Sequence, residues 1–200
     1  MLEIDGAVLA WQTGLKLSRL AQTAGVIPDS NLEPLIVTAR MEATAQACFD
    51  AQRSAHFPPD RNFIAAHITL FHALPGSERS TIDADLEQIV CATPEITARV
   101  TGLRSLGRGV AYRLEAPQLG TLRGALSAQW ETWLTNQDRA RFQAHITVQN
   151  KVSTATARET LALLEVEFQP WSFVLTGVTL WRYLGGPWQR LSEYAFQMLE

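Results

Sequence analysis

The chain has 200 residues, 46% of them hydrophobic and 18% charged, with a formal net charge of -3 and a pI near 5.8. That composition builds one sizeable domain, or two small lobes sharing a sheet, and excludes long disordered tracts. The slightly acidic balance excludes a broad cationic surface for duplex DNA or RNA, so a nucleic-acid partner must be short or held by its end.

In chain order, Met1-Leu2-Glu3-Ile4-Asp5 is acidic where a secretory leader is basic, and no apolar run approaches membrane-spanning length. A cytoplasmic protein with no membrane partner is expected. Ala7 to Leu20 has weak amphipathic helical spacing, and Gly25, Pro28 and Asp29-Ser30-Asn31 part it from the remainder of the chain. Residues 1-32 therefore read as an appendage, and 33-200 as the functional domain.

From Pro34 the pattern changes. Leu35 to Arg40 is a β-rich run, Met41 to Ala55 has helical spacing, and after Pro58-Pro59 a second strand carries Ala66-His67-Ile68-Thr69-Leu70-Phe71. A helix near Glu78 to Cys91 and a strand near Ile96 to Leu103 come next. The order then repeats: a strand at Val110 to Glu115, a helix from Gln118 to Leu134, a polar loop, and a strand carrying Ala144-His145-Ile146-Thr147-Val148. A helix near Ala155 to Glu165 and a hairpin about Gly185-Gly186-Pro187 close the chain. Cys48 and Cys91, in helical stretches and outside any ligand-spaced motif, read as small buried apolar residues in a reducing compartment.

Aligned on the histidines without a gap, the segments match at Asp60 and Asp138, Arg61 and Arg139, Ala66 and Ala144, and through both His-Ile-Thr triplets. An internal repeat of strand-helix-strand units packs naturally about a pseudo-two-fold axis, which would turn both histidines toward one cleft. The expected class is α+β: two pseudo-symmetric, mostly antiparallel sheet lobes with outer helices and a central cleft.

Side chains alternate along a strand, so His67 and Thr69 share one face while Ile68 and Leu70 take the other, and His145 and Thr147 repeat the arrangement. Two such pairs suit in-line displacement at phosphorus. One imidazole activates the attacking oxygen, the other protonates the leaving oxygen, and the hydroxyls orient non-bridging oxygens. Lys151, an even offset beyond His145, is the candidate cation, with Arg40 at the end of the first strand as a second.

The competing readings are a pair of hydrogen-bonded strand histidines and a zinc site. The second lacks a Cys, Asp or Glu at ligand spacing beside either motif. His72, an odd step from His67, is expected on the opposite face, and His56 at a helix end; both read as structural. Arg61 and Arg139, six residues before their histidines, are within reach of a phosphate but read first as partners of a neighbouring Asp or as caps of the loop. Trp181-Arg182-Tyr183 and Trp188 are candidates for stacking on a base.

These paired signatures resemble the two-histidine phosphoesterases, including bacterial 2′-5′ RNA ligase-like proteins and RNA 2′,3′-cyclic phosphodiesterases, over roughly residues 34-197. The resemblance implies a bilobal α+β fold and a cleft needing no metal or cofactor. It implies catalytic roles for His67 and His145 and phosphate contacts from Thr69 and Thr147. Relatives of this kind often carry an arginine shortly after the second motif, where this chain reads Gln149-Asn150-Lys151. The implied activity is opening of a 2′,3′-cyclic phosphate at an RNA end to a 2′-phosphate, with possible 2′-5′ ligation. The alternatives are the same chemistry on a small cyclic nucleotide and a non-catalytic module that binds RNA ends. A monomer is expected, and the near-equivalence of the motifs does not say which histidine is acid and which base.

Overall fold

The computed structural model describes residues 33-198. The helix expected at Ala7 to Leu20 lies outside them. Among the described residues, seven strands and five helices make up the α+β fold: β1 (Leu35–Met41), α1 (Ala43–His56), β2 (Ile68–Leu74), α2 (Arg79–Cys91), β3 (Ile96–Ser105), β4 (Val110–Glu115), α3 (Pro117–Gln129), α4 (Asn136–Arg139), β5 (His145–Gln149), α5 (Thr154–Val166), β6 (Trp171–Tyr183) and β7 (Trp188–Ala195). Helix α4 forms in the stretch expected as a polar loop, started by the Thr135 hydroxyl, which accepts from the amide of Asp138. The helix expected to reach Leu134 ends at Gln129 and continues as a 3-10 turn over Glu131–Trp133.

All strands pair antiparallel in one sheet of order β2-β1-β6-β3-β4-β5, with β7 added to β6. The order is a palindrome of the two repeats. The first unit is β1-α1-β2-α2-β3 and the second β4-α3-β5-α5-β6, and each gives its third strand to the other half. The two expected lobes are therefore halves of one continuous sheet, joined where β3 pairs with β6. Exchange of the third strands explains the continuity, since neither half then ends in an unpaired edge at the middle.

Each unit's first helix also crosses over. Phe49 of α1 packs on Tyr112 of β4 and on Trp171 and Phe173 of β6. Trp130, at the end of α3, packs edge-on against Phe71 of β2 with ring centroids 5.0 Å apart. Both aromatic anchors are fully buried, in a core that runs unbroken from Leu35 to Phe196. Large apolar side chains removed from water in this way contribute roughly 1.5–3 kcal/mol each, which holds the sheet in its curl.

Two buried arginines bind the edges to these helices. Arg53 of α1 donates from Nη1 to the carbonyl of Thr147 on β5 at 2.9 Å, and from Nε to Asn62 Oδ1 and the Ile64 carbonyl. Arg123 of α3 donates from Nε to the carbonyl of Leu70 on β2 at 2.9 Å, and from Nη2 to the carbonyl of Asp138. Each histidine strand thus receives a guanidinium from the opposite half. Burial lowers both guanidinium pKa values, that of Arg53 to about 10, so both remain charged at neutral pH.

Both cysteines are exposed, against the expectation of buried thiols. Helix α1 buries Ala45, Phe49 and Arg53, and α2 buries Ile82, Leu86 and Val90. Cys48 and Cys91 each sit one residue off that stripe, a rotation of about 100° around the helix.

Candidate active site

The sheet curls far enough to bring its two edges, β2 and β5, to one cavity of about 200 Å³. It is lined by His67, Thr69 and His72 from the β2 side, His145 and Thr147 from β5, and Ile36, Tyr183 and Trp188 from β1 and the terminal hairpin. The four motif residues expected to meet in a cleft do so. Strand parity accounts for it: Ile68, Leu70, Ile146 and Val148 are fully buried on the opposite face, which leaves histidine and threonine facing the cavity.

The two histidines are held in the same way. Nδ1 of His67 lies 2.8 Å from the carbonyl of Ala65, and Nδ1 of His145 lies 2.8 Å from the carbonyl of Gln143. A carbonyl oxygen only accepts, so each Nδ1 carries the proton and donates it. Each neutral imidazole therefore keeps Nε2 as its free lone pair, and the shared i to i−2 geometry gives both rings the same orientation relative to their strands.

Burial lowers the pKa of both imidazoles, that of His67 to about 4. Desolvation is the largest cause in each case; the Nδ1 bond opposes it, while nearby Arg53 and His145 add to it for His67 and Arg104 for His145. The His67 ring is further enclosed by Trp188, with ring centroids 4.8 Å apart, and Trp188 is backed by Trp181 at 6.1 Å. Before an anion binds, both histidines are neutral at pH 7.

His72 departs from the sequence reading. Its odd offset from His67 predicts the core face, yet it lines the cavity. The pairing of β1 with β2 supplies the reason. Thr38 faces Thr69 but Val37 faces Phe71, so β2 uses two residues against one and contains a bulge. Leu70 and Phe71 are consecutively buried, the alternation slips by one, and His72 comes round to the face of Thr69. Its Nδ1 lies 2.8 Å from Oδ1 of the buried Asp138. In the sequence Asp138 stands out only as the repeat partner of Asp60, which is exposed and paired with Arg61 at 3.6 Å.

Neither candidate cation lines the cavity. Strand β5 ends at Gln149, and Lys151 has a left-handed backbone with φ 62°, which breaks the alternation assumed for it. Arg40 donates to the hydroxyl and carbonyl of Thr176 at 3.1 Å and pairs with Glu193 at 3.4 Å, beside β6 and β7. Arg139 donates to the carbonyls of Leu134 and Glu131 in its own loop. A second, larger cavity of about 450 Å³ lies among α1, α5 and β4 and holds His56 and Cys48, but none of the paired histidines. Among the described residues, no group of three or more His, Cys, Asp or Glu side chains is arranged to hold a metal ion. No helix among them is long and apolar enough to cross a membrane.

Residues 29–187 match the model of the 2'-5' RNA ligase superfamily. The chain belongs to that superfamily. It is the family of the two-histidine phosphoesterases, enzymes of phosphoesterase and ligase type.

Solved structures with the same fold include TT0787 of Thermus thermophilus, with a TM-score of 0.60 and 17% identity over 84% of this chain and 100% of that one. Another is E. coli LigT complexed with 3'-AMP, with a TM-score of 0.56 and 21% identity over 82% of this chain and 98% of that one. A structure described as a phosphoesterase gives a TM-score of 0.56 and 20% identity over 83% and 99% of the two chains. Comparison with curated proteins gives no match.

Proposed function

We propose that this superfamily member is a metal-independent phosphodiesterase that opens a 2′,3′-cyclic phosphate at an RNA 3′ end or on a small nucleotide, leaving a 2′-phosphate. The observation that carries the reading is the pair of identically oriented imidazoles, each with Nε2 unprotonated and a threonine hydroxyl beside it, lining one cavity from opposite sheet edges. Water attacks phosphorus while one Nε2 takes its proton. The bond from phosphorus to the 3′ oxygen breaks, and the other imidazole, protonated, gives its proton to that oxygen. Thr69 and Thr147 donate to non-bridging oxygens and hold the phosphate in line. With a 5′-hydroxyl in place of water as the nucleophile on the cyclic phosphate, the same groups would join a 2′-5′ bond while the 3′ oxygen leaves.

We assign the base role to His67, whose enclosure beneath Trp188 keeps its Nε2 unprotonated. His145 protonates the leaving oxygen, its positive charge favoured by the anionic phosphate once bound. Trp188 and Tyr183, at the rim of the cavity, supply aromatic surface for a base. That LigT is crystallised with 3'-AMP, ATP, NADP+ and phosphate supports a nucleotide-sized ligand for this fold.

The test is turnover of a 2′,3′-cyclic mononucleotide and of a short RNA ending in that group, in EDTA. The reading expects a 2′-phosphate product from at least one of them, lost in His67→Ala and His145→Ala. Binding of the RNA end with no product would replace it by a recognition module, and activity that needs added metal would exclude the mechanism.

A further inference from the structure

Asp138 has an unusual set of partners. It is 1% exposed, yet it accepts from the backbone amides of His72 at 2.9 Å and Ala73 at 3.2 Å, from the Thr135 hydroxyl at 3.2 Å, and from Nδ1 of His72 at 2.8 Å. Burial alone would raise its pKa, but the side-chain and backbone hydrogen bonds from His72 outweigh that and hold it below the usual carboxylate range. An ionised carboxylate only accepts, so Nδ1 of His72 carries a proton and Nε2 is the ring's remaining polar atom. The imidazole is partly exposed, with 34% of its side-chain surface accessible, and lines the cavity beside His67, Thr69, His145 and Thr147.

Two further observations give this arrangement a purpose. Among the described residues no lysine or arginine lines the cavity, although the proposed substrate is an anion whose charge grows during attack. His72 also acts electrostatically on both motif histidines, disfavouring their protonation. Among the described residues the titratable and charged groups around it are Asp138 on α4, Arg123 of α3 behind Asp138, His67 and His145 across the cavity, Arg53 near His67 and Arg104 near His145. Asp138 is the one anion in that set, and it is bonded directly to His72.

We infer that His72 is a third phosphate-facing imidazole: gripped through Nδ1 by Asp138, it donates from Nε2 to a non-bridging phosphate oxygen and supplies the cavity's positive charge. This rests on the phosphoesterase reading of the same cavity. An imidazolium set between a buried carboxylate and a phosphate is compensated on both sides, the condition under which a desolvated charge is stable. Its charge opposes protonation of both motif histidines, which keeps His67 free as base and leaves the bound phosphate to favour the proton on His145.

The test uses the full chain with inorganic phosphate as the probe. Two-bond 1H–15N spectra of the imidazoles, with His72 assigned by its loss in His72→Asn, are recorded without phosphate and at saturation. The expected result is protonation of both His72 nitrogens on phosphate binding, about tenfold weaker phosphate affinity in His72→Asn, and a KM for a 2′,3′-cyclic mononucleotide raised by a similar factor. Asp138→Asn should give the same weakening if it folds; the wild-type spectrum decides the matter if it does not. Signals from His67 and His145 that respond to phosphate while those of His72 stay fixed would reduce His72 to a structural partner of Asp138. Silence from all three histidines would overturn the phosphoesterase reading along with it.

Discussion

In the first half of the molecule the histidine strand β2 is bulged, carries His72 beyond its motif, and donates hydrogen bonds to the Asp138 side chain from the other half. In the second half, β5 is shorter. It ends at Gln149, and the Asn150 that corresponds to His72 is spent on the amide of Lys151. Yet the two halves share the His-x-Thr pair, the Nδ1 bond to the carbonyl two residues back, and a buried arginine arriving from the opposite half. The shared features orient a proton-transfer group and its support; those that differ set charge and enclosure around it. A repeated unit can therefore keep its geometry symmetric while the two histidines take different roles, because a ring's pKa follows its surroundings rather than its own strand.

The largest effect should come from removing the shared device. His67→Ala and His145→Ala should each lower kcat/KM on a cyclic mononucleotide by about 10³-fold, within the range for lost acid or base catalysis. The double variant should lose little more than either single, as expected for groups that act as a unit. Additive losses would show that each histidine works alone.

The crossing arginines come next. Arg53→Met and Arg123→Met each leave buried carbonyls unpaired, and each should cost roughly 2–3 kcal/mol in a urea melt. Similar costs would mean the halves brace one another equally. A much larger cost for Arg123 would point to its added bond with the carbonyl of Asp138, which holds the loop behind His72.

A smaller change is expected from the hydroxyls. Thr69→Val and Thr147→Val should lower kcat by roughly tenfold each, less than the loss of a dedicated oxyanion donor, since other donors remain at the phosphate. Unequal losses would show which half carries more of the developing charge.

The smallest effects test the enclosure of His67. Trp188→Ala uncovers the ring, so its pKa should rise from about 4 toward the ordinary 6.5, and the acidic limb of the kcat/KM profile should move to higher pH. Stability should follow the same group. Because the folded pKa lies below the unfolded one, the unfolded chain binds the extra proton between about pH 6.5 and 4, and stability falls as pH drops through that window. His67→Asn should flatten that part of the curve in thermal melts from pH 7 to 4.

The sequence by itself determined the order of the strands and of every described helix but α4, and the pairing of His67 with Thr69 and of His145 with Thr147. Hydropathy period and strand parity are local properties, readable wherever a strand is regular. Only the tertiary structure decided the exchange of third strands, the crossing of Arg53 and Arg123, and the Trp188 cover over His67, since each depends on which segments meet after the sheet curls. His72 shows the division most directly. Its parity is hidden from the sequence because the bulge is set by pairing with β1, and its partner Asp138 comes from a short helix in the other half. Lys151 fails for the converse reason: the strand assumed to carry it ends two residues earlier, and its own backbone turns left-handed. Residue type and spacing fix what a regular strand presents; bulges, strand ends and contacts between halves fix what joins it in the site.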